Sequence, residues 1–122
     1  MEWNFESDRP IYIQLVEKIK IAIISGKYKL GDRLPSVRDF ALEIKANPNT
    51  VQRAYTELEE QGLVVTERTN GKFVTEDKTL IGKMREEIAK NNLKNFINNM
   101  LQLGFTEKEI KEYLISNLGK EE

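Results

Sequence analysis

Asn47, Asn49, Thr50, Gln52 and Arg53 crowd into one short stretch and carry the groups that read nucleic acid. A carboxamide donates and accepts at an adenine edge or a phosphate, and a guanidinium reaches a phosphate or a guanine. A threonine binds phosphate or touches a thymine methyl. Upstream, Ser36 and Arg38 pair a hydroxyl with a guanidinium, which suits a phosphate clamp or a base contact. Downstream, Arg68, Thr69, Asn70 and Lys72 form a polar, basic tip of the kind that follows the negative potential of a minor groove. Each group also has a plainer use. Asn47 can cap a helix, Arg38 can pair with Asp39 or Glu43, Arg53 and the amides can line a solvated face, and Arg68 and Lys72 can be solubilising loop charges.

The elements that must position these groups are read from periodicity and punctuation. Ile11, Leu15, Ile19 and Ile23 recur at helical spacing and predict a helix from about Pro10 to Ser25, with Asp8 as candidate N-cap and Gly26 as its stop. The connection 27–35 carries a turn at Gly31-Asp32 and a short strand at Arg33-Leu34. Ser36, with Asp39 three residues on, starts a second helix whose apolar stripe is Val37, Phe40, Ala41 and Ile44. After a tight turn at Ala46-Asn47, Asn47 as cap and Pro48 at the first position start a third helix that runs to about Gln61. Its core stripe is Val51, Ala54, Tyr55 and Leu58, which turns Asn49, Gln52, Arg53 and Thr56 outward; Glu57, Glu59 and Glu60 lie at its far end.

Beyond Gly62 the period changes to that of strands. Residues 63–68 and 72–75 are rich in β-formers, and Asn70-Gly71 between them predicts a hairpin. Three helices followed by a hairpin is the order of a winged helix-turn-helix, in which the first turn of the third helix enters a major groove while the helix before it crosses the backbone. From Asp77 one long helix is expected to end near Gly104, its polar middle at Lys90-Asn91-Asn92 leaving room for a kink or break. Thr106 and Glu109 make a capping box for a last helix, with Phe105 placed to staple on Ile110.

Composition narrows the chemistry. With 122 residues, no Cys and no His, the chain lacks thiolate and imidazole ligands, disulfides, cysteine nucleophiles and the commonest general base, so an enzyme is not expected. Paired acids such as Glu86-Glu87 have no such neighbour, so neither a metal nor another cofactor is expected. The start lacks a secretory pattern and no apolar run spans a bilayer, which predicts a cytoplasmic protein without a membrane partner. Lys and Arg total 19 against 20 Asp and Glu, so nucleic acid would be held by local rather than bulk charge.

Residues 9–75 resemble the GntR family of bacterial transcription regulators, in particular its short YtrA-like branch. Gly31-Asp32-Arg33-Leu34-Pro35-Ser36-Val37-Arg38 and Asn47-Pro48-Asn49-Thr50-Val51 carry the likeness. The resemblance implies a winged-helix DNA-binding domain in which Ser36, Arg38, Asn49, Thr50 and Gln52 contact an operator and the wing near Arg68 and Thr69 assists. It also implies control of a neighbouring transporter operon. Two features depart from the wider family: Pro48 and Gln52 stand where many members have Arg, and Arg68-Thr69-Asn70-Gly71-Lys72 replaces the common Arg-Gly-x-Gly-Thr of the wing.

The expected architecture is therefore mostly α with a small β-hairpin. A winged helix-turn-helix domain over residues 1–76 precedes a two-helix dimerisation region over 77–122. Leu80, Met84, Ile88, Phe96, Ile97, Met100, Tyr113 and Leu114 are expected to divide between packing in the chain and a two-fold interface. The methionines and aromatics of this region could also line a groove between protomers for a small-molecule effector. The expected function is a homodimeric transcriptional repressor on a palindromic, double-stranded DNA operator; the alternative is a winged helix that docks another protein.

Overall fold

The computed structural model describes residues 3–119, so Met1, Glu2 and residues 120–122 at the ends of the two expected spans lie outside it. The order is α1 (Ile11–Ile24), α2 (Val37–Ile44), α3 (Pro48–Glu60), β1 (Val64–Glu67), β2 (Gly71–Val74), α4 (Lys78–Gln102) and α5 (Glu107–Asn117). The molecule is mostly helical, with one antiparallel hairpin.

The buried stripe of α1 is Leu15, Ile19, Ala22 and Ile23, and Gly26 ends the helix at a φ of 89°. Asp8 does not cap it. Pro10 occupies the N-cap position, and the buried Gln14 closes the preceding turn from inside the helix. Its Nε2 donates to the carbonyls of Glu6 (2.8 Å) and Arg9 (2.9 Å), and its Oε1 accepts from the Glu6 N–H (2.7 Å). The α1 N-terminus has no side-chain cap, and the turn before it is closed by a residue four positions into the helix. Gln14→Leu keeps the volume but strands those backbone groups, and should cost about 2 kcal/mol in denaturant unfolding. An unchanged midpoint would show that the turn re-pairs with water.

Ser36 caps α2, its Oγ accepting from the Asp39 N–H (3.0 Å). The helix ends at Lys45, which takes the left-handed conformation (φ 59°) that glycine usually supplies. Two residues on, Asn47 Oδ1 accepts from the Asn49 N–H (2.8 Å) and opens α3. Helix α3 packs on both α1 and α2. Phe40, Val51, Ala54, Tyr55 and Leu58 are fully buried where the three helices meet.

Val64 pairs with Val74, Val65 with Phe73, Thr66 with Lys72 and Glu67 with Gly71. The connection lies one residue earlier than a loop at residues 69–71. Arg68, Thr69 and Asn70 form a three-residue loop in which the Asn70 N–H donates to the Glu67 carbonyl (3.2 Å), and Gly71 follows at a φ of 107°. Asn70-Gly71 thus marks the hairpin, but glycine supplies the positive φ after the turn rather than inside it. The expected strand at Arg33-Leu34 is reduced to one antiparallel bridge, Arg33 to Phe73.

The chain divides into two compact units, Met1–Met84 and Arg85–Glu122. The first takes in residues 77–84 because Ile81 and Met84 pack on its core and Leu80 lies against Gly62. Asp77 Oδ1 accepts from the Leu80 N–H (3.1 Å) and starts α4. This helix runs unbroken through Lys90-Asn91-Asn92, as one long helix; asparagine lowers helix propensity without breaking the ladder. In the second unit the Thr106 and Glu109 capping box opens α5. Met100 and Ile110 are buried there, and the Phe105 ring meets Tyr113 edge-on at 5.6 Å between centroids.

Candidate nucleic-acid interface

In the first unit α2 leads through residues 45–47 into α3, and the two helices pack on each other. Tyr55 is fully buried, and its hydroxyl donates to the carbonyl of Pro35 (2.7 Å), the residue before the Ser36 cap. Its ring lies 6.0 Å from that of Phe40. One side chain of α3 thus holds the start of α2, which fixes Ser36 and Arg38 relative to the tip of α3. Burial pushes the Tyr55 hydroxyl well above the usual tyrosine range, with smaller contributions from Tyr28 and Glu43, so it remains a donor.

At the α3 tip, Asn47, Asn49, Gln52 and Arg53 are exposed and Thr50 is half-buried. The first turn contains no acid, so the positive end of the helix dipole is uncompensated by carboxylate. The acidic residues sit at the other end, and two of them are engaged: Glu57 accepts from Gln61 Nε2 (3.3 Å), and Glu59 accepts from Thr66 Oγ1 and Lys72 Nζ. Asn47 spends its side-chain oxygen on the cap. Gln52 Nε2 donates to Thr56 Oγ1 (3.2 Å), so Thr56 holds the amide from one turn further along the helix. The Arg53 guanidinium lies over the Tyr12 ring of α1, 3.7 Å from its centroid.

In the wing, Arg68, Thr69 and Asn70 are exposed at the tip, with Asn70 Nδ2 donating to Glu67 Oε1 (3.1 Å). Lys72 is not part of that tip. It turns toward α3, where its Nζ bonds Glu59 Oε1 (3.2 Å) and Thr66 Oγ1 (3.0 Å) and lies 5.9 Å from the Tyr55 ring centroid. Strand alternation is the reason, because Lys72 shares a sheet face with the buried Val74. Among the described residues no acidic cluster is disposed to hold a metal ion, and no helix is long and apolar enough to cross a membrane.

A family model described as bacterial regulatory proteins, gntR family, matches residues 11–74, from α1 to the last residue of β2. The chain belongs to the GntR family. It is similar over 112 residues to YhcF of Bacillus subtilis, described as an uncharacterized HTH-type transcriptional regulator, at 37% identity, covering 92% of this chain and 93% of YhcF. It is 38% identical over 109 residues to the HTH-type transcriptional repressor YtrA of the same organism, covering 88% of this chain and 84% of YtrA. Among solved structures, a GntR family transcriptional regulator from Listeria monocytogenes superposes with a TM-score of 0.85 at 42% identity, over 92% of this chain and 98% of that one. AraR(DBD), solved in complex with operator ORX1, matches with a TM-score of 0.56 at 25% identity, over 62% of this chain and 96% of AraR(DBD).

This GntR chain is thus a transcriptional regulator with a DNA-binding winged helix-turn-helix, and not one of an enzymatic class. Three residues that handle the candidate contacts escape a search by residue type. Thr56 is legible on the outer face of α3, but its bond to Gln52 is not. Tyr12 lies in α1, far along the chain from residues 47–53, and Arg33 reads as part of a connecting strand. Only the packing of α1 on α3, and of residue 33 on β2, brings Tyr12 to Arg53 and Arg33 to the hairpin.

Proposed function

We propose that this GntR regulator is a homodimeric repressor that sets one α3 helix into the major groove of each half of a palindromic operator. The observation that carries the proposal is the exposed, acid-free first turn of α3, together with the exposed Ser36 and Arg38 at the start of α2. Asn49, Thr50, Gln52 and Arg53 read or clamp the groove, Ser36 and Arg38 hold the backbone, and Arg68, Thr69 and Asn70 lie along the flanking minor groove. Asn47 serves chiefly as the cap that aims the tip.

Dimerisation is assigned to the second unit, where two helices leave Leu93, Leu101, Leu103, Tyr113, Leu114, Ile115 and Leu118 exposed. A second copy of the same surface is the occupant that gives the two-fold symmetry an operator palindrome needs. Of the residues expected at the interface, Phe96 and Ile97 are half-buried and Met100 is buried, so Tyr113 and Leu114 offer the more open surface; Ile88 is also half-buried, and Leu80 and Met84 belong to the first unit. Repression follows the description of YtrA, and a neighbouring transporter operon in the cytoplasm is the target suggested by likeness to its branch.

The test uses a duplex selected by the full-length chain from a random pool of about 30 base pairs, about three helical turns long. Sedimentation should show a dimer at micromolar concentration and two chains per duplex. With about six phosphates neutralised per dimer, affinity should fall about a thousandfold between about 50 and 200 mM salt. A monomer on a non-palindromic sequence, or a flat salt dependence, would sink the proposal.

A further inference from the structure

The wing is short of positive charge once Lys72 is committed to Glu59, and the structure supplies another cation from outside the hairpin. Arg33 pairs with Phe73 as an antiparallel bridge: the Leu34 N–H donates to the Lys72 carbonyl (2.8 Å) and the Val74 N–H to the Asp32 carbonyl (2.8 Å). In that pattern the bridged residues do not bond each other, and their side chains stand close on one sheet face. Phe73 shares this face with Gly71, two residues nearer the tip, whereas Lys72 occupies the opposite one. A Cβ built on Gly71 would lie 3.4 Å from Arg33 Nε and 3.4 Å from its Nη2. The guanidinium therefore lies along the wing against Gly71, immediately behind Arg68, Thr69 and Asn70.

Arg33 is exposed and, among the described residues, has no carboxylate partner. Glu67, next to the loop, accepts from Asn70. A guanidinium held near the loop without a salt bridge is poised for an anion outside the protein.

We propose that Arg33 is a DNA-binding residue, and that with Arg68 it contacts the sugar-phosphate edge of the minor groove beside each half-site. This deepens the operator-binding reading and rests on it. A phosphate or minor-groove contact also fits the chemistry better than base reading, because the side chain lies along the sheet at the wing and is not carried by α3.

The test is anisotropy titration of the selected duplex over a range of salt concentrations, with wild type, Arg33→Gln and Arg33→Lys. Loss of one phosphate contact per protomer should lower the magnitude of the salt slope by about two in the Arg33→Gln dimer and weaken binding about ten- to thirtyfold at physiological salt. Arg33→Lys keeps the charge and should keep most of the slope, which a merely structural role for the guanidinium would not predict. All three should unfold at the same temperature. An Arg33→Gln protein with the wild-type slope overturns the assignment while leaving operator binding intact; a wild-type chain that binds no duplex overturns both.

Discussion

The double substitution Arg38→Ala with Gln52→Ala should leave the protein folded and weaken operator binding about a thousandfold. Both side chains are exposed, and the Gln52 amide bonds the neighbouring Thr56 on the same helix, so neither replacement removes core volume. Each contact to a base or phosphate contributes about 1–3 kcal/mol. A two-fold complex loses every contact twice, so even the low end of that range sums to about 4 kcal/mol, about a thousandfold. The single variants should partition differently: Arg38→Ala lowers the salt slope, whereas Gln52→Ala chiefly relaxes base preference at one position of each half-site. Anisotropy titration alongside a thermal melt checks both halves. A folded double variant that loses less than about tenfold would mean that the starts of α2 and α3 do not face DNA.

Tyr55 should show the largest effect on stability. Tyr55→Ala removes a fully buried ring from the junction of α1, α2 and α3 and should cost about 3–5 kcal/mol, enough to unfold a marginal domain at moderate temperature. Tyr55→Phe keeps the ring and deletes only the bond to the Pro35 carbonyl, at about 1–2 kcal/mol. Because that bond sets the start of α2, the Phe variant should also weaken operator binding at temperatures where it remains folded. The pH dependence has a definite sign. Burial raises the folded pKa of Tyr55 above its unfolded value near 10, so the stabilisation is complete below about pH 10 and is lost as pH rises further. Tyr55→Phe should flatten that alkaline decline, leaving the smaller share of Tyr28, whose hydroxyl is also raised by burial and by Glu43. Denaturant curves between about pH 7 and about pH 11 distinguish the variants; an equal alkaline decline in wild type and Tyr55→Phe would show that the hydroxyl titrates freely.

How far the interface can be read from residue types varies from position to position. Ser36, Asn47 and the Thr106–Glu109 pair act as the caps their positions suggest, because capping is settled within three residues of chain. Lys72 was open to a better reading, since period-two alternation already places it on the face of Val74 and away from the tip. Asp8 misleads because polar residues before a helix are common, and nothing local shows that Gln14 closes the turn instead.

Residue order alone was enough to settle where most helices begin and end, that a hairpin follows them, and that amides, hydroxyls and guanidinium groups gather in two stretches that each open a helix. Such features depend on bonds between residues a few positions apart and on the apolar stripe that must be buried. Which cations remain available was settled by packing between elements. Lys72 is taken by Glu59, Arg53 is laid over Tyr12, and Arg33 is carried to the wing by its bridge to Phe73. Each outcome joins residues from different elements, and the bond that wins is set by how the helices and strands pack, which residue spacing does not specify.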